Sequence, residues 1–344
     1  MEKNVKKILV VISFFVVIIT IIYLIYFIKD NHNLNASKYL IKNATNSKNM
    51  LYSDNGADKG KMFVFTQTIN GKEITEYRYI GDEPNNYVEF NCDDDGKNCE
   101  IWRIIGIFDV ETPNIERTKT KVEKRIKLVR NSVLPNHMVW DKKGNDLRIY
   151  NNWAPSSLKG FLNNEYYNSL DKAAEYGLKK SANSMIDEVF YNLGGIEISG
   201  DIISTEALYN FERGTKVYPK HPTEWISKIG LMYPSDQYMV YAKGVNDDCY
   251  NTPYDTLACN STNASKGWIY NTNKIDEQSN NENIWFMTSY ATDETNVTLS
   301  YVEGNIINEN CSSKAFVRPV LYLSSKVKII EGDGTKNNPY KLSL

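Results

Sequence analysis

Apolar and polar positions follow three rhythms along this chain. The first is an unbroken apolar block, Ile8 to Ile28, in which 17 of 21 side chains are Ile, Leu, Val or Phe and none is charged. At about 1.5 Å per helical residue the block matches the roughly 30 Å hydrocarbon core of a bilayer. It predicts one membrane crossing over residues 8–28. The second rhythm is extended. Met62 to Thr68, Glu73 to Ile80 behind an Asn70-Gly71 turn, Tyr87 to Phe90, Ile101 to Phe108 and Lys121 to Arg130 all read as strands. Ile101 to Phe108 is apolar on both faces, which predicts a strand buried on both sides.

The third rhythm is helical. Leu158, Phe161, Leu162 and Tyr166 follow the cap Pro155-Ser156, and Ala182, Met185, Ile186, Val189, Phe190 and Leu193 run up to a Gly194-Gly195 stop. A third helix is expected over Thr205 to Arg213. Beyond Trp225 short apolar pieces return: Ile229 to Tyr233, Tyr238 to Ala242, Trp268 to Tyr270, Ile284 to Tyr290, Val297 to Val302 and Phe316 to Leu323. Strands, then helices, then strands predict an α+β class with mixed, mostly antiparallel sheets and two or three short helices.

Charge gives the block a direction. Lys3, Lys6 and Lys7 precede it, whereas Lys29 beside Asp30 follows it. The positive side stays in the cytoplasm. The expected organisation is a cytoplasmic tail at 1–7, a transmembrane helix at 8–28, a stalk at 29–53 and an extracellular domain at 54–344. A cleaved signal peptide would have a shorter apolar core and a small-residue site, for which Asn35-Ala36-Ser37 is the weak candidate. A pilin-type start would need a Gly-Phe junction, which is missing here.

The whole chain carries a formal charge of −2 and has no basic cluster, so nucleic acid is not an expected partner. Tyrosine outnumbers phenylalanine, 24 to 12. Either the outer surface is rich in aromatic rings suited to sugars or partners, or the genome favours AT-rich codons. All five cysteines follow the apolar block, which fits an oxidising compartment. Cys92 and Cys99 bracket a turn-rich hexapeptide between two strands and form the first expected bridge. Cys249 and Cys259 form the second, leaving Cys311 unpaired.

Five segments carry a family resemblance. They are Tyr87-Val88-Glu89-Phe90 with Trp102-Arg103-Ile104-Ile105-Gly106, Ser157-Leu158-Lys159 with Leu162-Asn163, Ile229-Gly230-Leu231-Met232-Tyr233-Pro234-Ser235-Asp236, Val317-Arg318-Pro319-Val320-Leu321-Tyr322-Leu323, and the closing Gly332-Asp333-Gly334-Thr335 with Asn338-Pro339-Tyr340. Together they resemble uncharacterised surface proteins of gut Firmicutes, the domain-of-unknown-function group numbered 6273, and more distantly the Fibrobacter major paralogous domains. The resemblance implies a C-type-lectin-like or formylglycine-generating-enzyme-like variant of the α+β architecture. It implies no settled activity.

That association directs attention to Glu83-Pro84-Asn85, a triplet that chelates calcium and sugar hydroxyls in C-type lectins. Here it stands before an early strand and no Trp-Asn-Asp follows, so a turn is the expected reading. Asp93-Asp94-Asp95-Gly96 lacks the downstream Glu of a calcium loop and reads as a solvated hairpin tip. His32, His137 and His221 show no metal-ligand spacing, and no nucleophile motif is present. No catalytic, cofactor or metal residue is therefore assigned. Arg103 and Arg318 are charges set in apolar strands. They read as structural, held by a buried carboxylate such as Glu212 or Asp236 or by a fan of carbonyls. Pro319 places its strand at an edge or bulge, and Trp225, Trp268 and Trp285 read as core. The expected function is a membrane-anchored extracellular binding module for a glycan or a protein. The alternatives are a surface-assembly component or an enzyme of the sulfatase-modifying fold type.

Overall fold

The computed structural model describes residues 13–14, 16–20, 34–42, 44–46, 60, 62–69, 71–142, 150–169, 177–197, 205–240 and 267–344. The first half contains α1 (Ala36–Ile41), β1 (Thr45–Asn46), β2 (Phe63–Ile69), β3 (Lys72–Arg78), β4 (Tyr87–Phe90), β5 (Glu100–Pro113), β6 (Lys119–Arg130) and β7 (Met138–Val139). Next come α2 (Ser157–Phe161), continued by a π-helical turn (Leu162–Tyr166), then α3 (Lys180–Asn183), β8 (Val189–Asn192) and α4 (Thr205–Glu212). They are followed by β9 (Glu224–Ser227), β10 (Ile229–Gly230), α5 (Pro234–Tyr238) and α6 (Trp268–Asn271). The last stretch is strand: β11 (Ile284–Ser289), β12 (Asn296–Ser300), β13 (Ile306–Asn310), β14 (Lys314–Ala315), β15 (Val320–Tyr322), β16 (Lys328–Glu331) and β17 (Tyr340–Ser343).

One ten-stranded sheet organises the domain, in the order β1-β2-β3-β5-β4-β17-β16, with β6 on the other side of β5 and then β15 and β10. The long β5–β6 hairpin is its spine, paired from Trp102↔Arg130 to Pro113↔Lys119. Along β5 seven consecutive residues, Trp102 to Phe108, are buried, and Val110 follows the exposed Asp109, so both faces are covered. Gly106 lies where β3 crosses close to β5: an added Cβ would come 2.3 Å from the Tyr77 carbonyl oxygen. Smaller sheets are β11-β12-β13, β14-β7 and β8-β9. Trp102, Trp140, Trp268 and Trp285 are fully buried and supply much of the core volume.

The architecture is mostly β, and this corrects the expected α+β class and its lectin-like or formylglycine-generating-enzyme-like arrangement behind a transmembrane helix. The described helices from α1 onward are four to eight residues long. Among the described residues no helix is long and apolar enough to cross a membrane. Most of the expected span at 8–28 lies outside the described residues, which include only 13–14 and 16–20 of it.

The largest local difference falls between Ala182 and Leu193. Its apolar positions fit a helix but also alternate, and alternation wins: Val189, Tyr191 and Leu193 are buried while Asn192 is exposed. β8 pairs with β9 through Val189↔Ser227 to Asn192↔Glu224, leaving only α3 as helix. Conversely, Tyr238 ends the helix α5 and Trp268 begins the helix α6, where strands were expected. Pro319 does not mark an edge. It precedes β15, which is paired on both sides, and its carbonyl accepts from the Arg130 N–H at 3.1 Å.

Residues read as stalk also pack onto the domain. Asn35 caps α1 by accepting from the Lys38 N–H at 2.9 Å, the Ala36 N–H donates to the Val327 carbonyl at 2.7 Å, and Ala36 and Leu40 are buried. Thr45 and Asn46 then extend the sheet in parallel with Phe63 and Val64.

Candidate functional site

The densest chemistry lies where β3 and β6 meet α4 and α5. Alternation on β3 turns Glu76 and Arg78 inward, and β6 turns Lys127 inward; all three are buried. α4 contributes Tyr209 and Glu212, with Arg213 immediately after it. Tyr233, which precedes α5, and Ser235 and Asp236 in its first turn are again buried. Arg78 donates from Nε and Nη2 to Glu76 Oε2 at 3.0 and 2.8 Å, and from Nη1 to Asp236 Oδ1 at 3.1 Å. Lys127 Nζ donates to Asp236 Oδ2, which also accepts from the Tyr233 N–H at 3.0 Å. Tyr209 donates to Glu76 Oε1. Glu212 accepts the Ser235 N–H at 2.8 Å, the Ser235 hydroxyl, and Arg213 Nη1 at 3.0 Å.

Three cations thus face three carboxylates with little or no solvent exposure. Burial pushes Asp236 up, but Lys127 and Arg78 outweigh it and hold the carboxyl at about 2. Burial dominates at Glu212 and raises it to about 7 despite the Arg213 charge beside it. Burial also lowers Lys127, with Asp236 opposing. Aromatic faces complete the enclosure: Arg78 lies 4.6 Å from the Phe108 centroid, Arg213 3.4 Å from Tyr209 and Lys127 4.5 Å from Tyr233. With no exposure and both oxygens of each occupied, Glu212 and Asp236 cannot meet a substrate from solution. The cluster ties two helices to the sheet.

The two arginines singled out in the sequence are buried elsewhere, and neither reaches Glu212 or Asp236. Arg103 donates to Asn86 Oδ1 and to the Pro84 carbonyl at 3.2 Å, lies 3.6 Å from the Tyr87 centroid, and is lowered by burial to about 10. Arg318 is held by a fan. Nη1 donates to the Ile269 carbonyl and Asn273 Oδ1 at 2.8 and 2.7 Å, Nη2 to Thr272 Oγ1 at 2.9 Å, and Nε to the Arg130 carbonyl at 3.1 Å. Burial lowers it to about 9.

Cys92 and Cys99 are bridged. Beneath that loop Lys179 reaches Asp93 at 2.8 Å. Cys249 and Cys259 lie outside the described residues. Cys311 is buried and free, and burial raises its thiol to about 12, which keeps it protonated. In the Glu83-Pro84-Asn85 turn, Glu83 accepts from the Tyr87 hydroxyl and lies 3.6 Å from Arg103. Among the described residues no three His, Cys, Asp or Glu side chains are grouped to hold a metal.

Trp225 is an aromatic feature of a different kind, on the surface of the described structure. Trp225, expected in the core with Trp268 and Trp285, is 38% exposed on β9, whereas those two are fully buried. β9 belongs to a two-stranded ribbon, and pairing with β8 alone leaves its side chains partly uncovered. Lys159 of α2 lies 5.5 Å from the Trp225 centroid. Its neighbour Glu224 binds Lys119 at 2.6 Å, and Lys119 lies 5.4 Å from the Phe190 centroid. Comparison of the chain with protein-family models, with curated proteins and with solved structures finds no match.

Proposed function

We propose that this chain is an exported binding module, associated with a lipid bilayer through residues 8–28, whose ligand is a surface glycan. The observation that carries the reading is the exposed indole of Trp225 with the Lys159 ammonium beside it. A flat ring offers an apolar face to the C–H face of a sugar, while the Lys159 ammonium supplies hydrogen-bond donors for hydroxyls. A stable protein interface needs roughly 800 Å² on each side, a poorer fit to a single indole. Support for export comes from the Cys92–Cys99 bridge and from the apolar block, whose described residues Phe14, Val16, Val17 and Ile19 are all more than half exposed.

The test is a glycan array probed with the full chain in mild detergent, beside Trp225→Ala. Retention by defined glycans, weakened about tenfold or more by the substitution while thermal unfolding is unchanged, supports the reading. Binding that survives the loss of the indole, or no binding at all, refutes it.

A further inference from the structure

Lys127 and Asp236 are an almost fully enclosed pair of opposite charges: the side chains are 1% and 0% exposed. Nζ is in contact with Oδ2, one bond from the carboxyl carbon. Removing both charges from water is costly, and a buried ion pair recovers that cost only in part. Around them stand the rings of Tyr233, Phe108 and Tyr322, at 4.5, 5.4 and 5.8 Å from Nζ. Two fixed donors address the carboxyl group, Arg78 Nη1 on Oδ1 and the Tyr233 N–H on Oδ2. An amine nucleophile, a carboxyl electrophile, oriented donors and no solvent are the requirements of an acyl transfer between side chains.

We infer that Lys127 and Asp236 become joined by an amide bond between Nζ and Cγ, an isopeptide crosslink that the folded chain makes with no further reactant. The step is a condensation. The Nζ–Cγ bond forms, the Cγ–Oδ2 bond breaks, two protons of the ammonium leave with that oxygen, and one water is released; nothing is oxidised or reduced. The proton first crosses the Nζ–Oδ2 contact, giving the neutral amine and acid that react. Burial favours this by lowering the lysine and pushing the acid up, while the attraction between the two charges and the Arg78 cation on Asp236 oppose it, so the neutral pair is the minor form from which the reaction proceeds. Arg78 then balances the charge that develops on Oδ1. The product leaves two cations, Arg78 and Arg213, facing two carboxylates, Glu76 and Glu212, so the cluster stays balanced with one costly pair fewer. The bond would pin α5 to the spine strand β6.

Intact-mass measurement of the full chain, denatured and reduced so that the disulfide does not contribute, decides the matter. The expected mass is one water below that of the sequence, with a branched peptide carrying Lys127 and Asp236 after digestion. Asp236→Ala and Lys127→Met should each restore the full sequence mass; because the primary reading is on the unsubstituted chain, poor folding of either variant does not blunt the test. A full sequence mass means an ion pair and overturns the inference. So does a one-water deficit that maps to other residues, such as a succinimide at Asp95-Gly96.

Discussion

Glu212 makes the stability of this domain depend on pH in an unusual direction. Burial raises its carboxyl from 4.5 to about 7. The folded chain therefore holds a proton there between about pH 4.5 and 7 that the unfolded chain releases. Stability from this group is fully present below 4.5 and is lost as pH rises toward 7. At roughly 1.4 kcal/mol per pH unit, the loss reaches about 3 kcal/mol. Asp236 works the other way. Its carboxyl, lowered from 3.8 to about 2, contributes stability above 3.8 that is lost as pH falls to 2. Together the two predict a maximum near pH 4 to 4.5. In a chain whose Lys127 and Asp236 are joined, the acidic limb is missing. The perturbation is Glu212→Gln, which keeps the shape of the protonated acid without its titration. Urea unfolding of the wild-type chain and the variant at pH 5, 6, 7 and 8 is the assay. The wild type should lose about 2.5 kcal/mol across that range, part of the loss lying below pH 5, and the variant little. A wild-type stability that holds steady or climbs from pH 5 to 7.5, or an equal slope in Glu212→Gln, refutes the reasoning.

Further outcomes follow from the packing. Arg318→Met leaves the Ile269 and Arg130 carbonyls and Asn273 without their donor; it should destabilise by at least about 3 kcal/mol, and a calorimetric loss under 1 kcal/mol would contradict that role. Cys99→Ser opens a short loop of sequence separation 7 and should cost roughly 2 to 3 kcal/mol in chain entropy, seen as an equal fall in unfolding midpoint for the variant and for the reduced wild type. A chain starting at Asp54 lacks α1 and β1 and exposes the sites that bury Ala36 and Leu40. It should melt several degrees below one starting at Asn31, and identical melting would show that α1 contributes nothing.

Much of the sheet was legible because its apolar positions have one interpretation. Tyr87 to Phe90 is β4 to the residue, and the doubly apolar run from Ile101 is the spine strand. Ser156 also caps α2 as its sequence suggests, accepting from the Lys159 N–H at 3.2 Å. Legibility failed where two periods coincide, as at Ala182 to Leu193, since only pairing with the distant Glu224–Ser227 decides between them. It failed again for the charge cluster. Arg103 and Arg318 stood out because their neighbours are apolar. Arg78 and Lys127 sit in strands that alternate polar and apolar residues, where a charge reads as facing water. Nothing local marks Lys127 as inward; its partner Asp236 lies in another element, and the contact exists only once α5 packs on β6. Trp225 misled for a related reason, because indole burial depends on what covers a strand rather than on the strand.

β17 lies between β4 and β16, running parallel to a strand formed near the other end of the domain. Until Tyr340 and Lys341 arrive opposite Val88 and Glu89, β4 presents a bare row of amides and carbonyls. A chain emerging from the ribosome, or threading through a translocase, therefore cannot close its main sheet piecemeal. The early strands must wait, open to mispairing with neighbouring nascent chains, for the final ones to be delivered. Quality of folding in this protein is then set by the speed of synthesis and by whatever holds the growing chain apart from its copies.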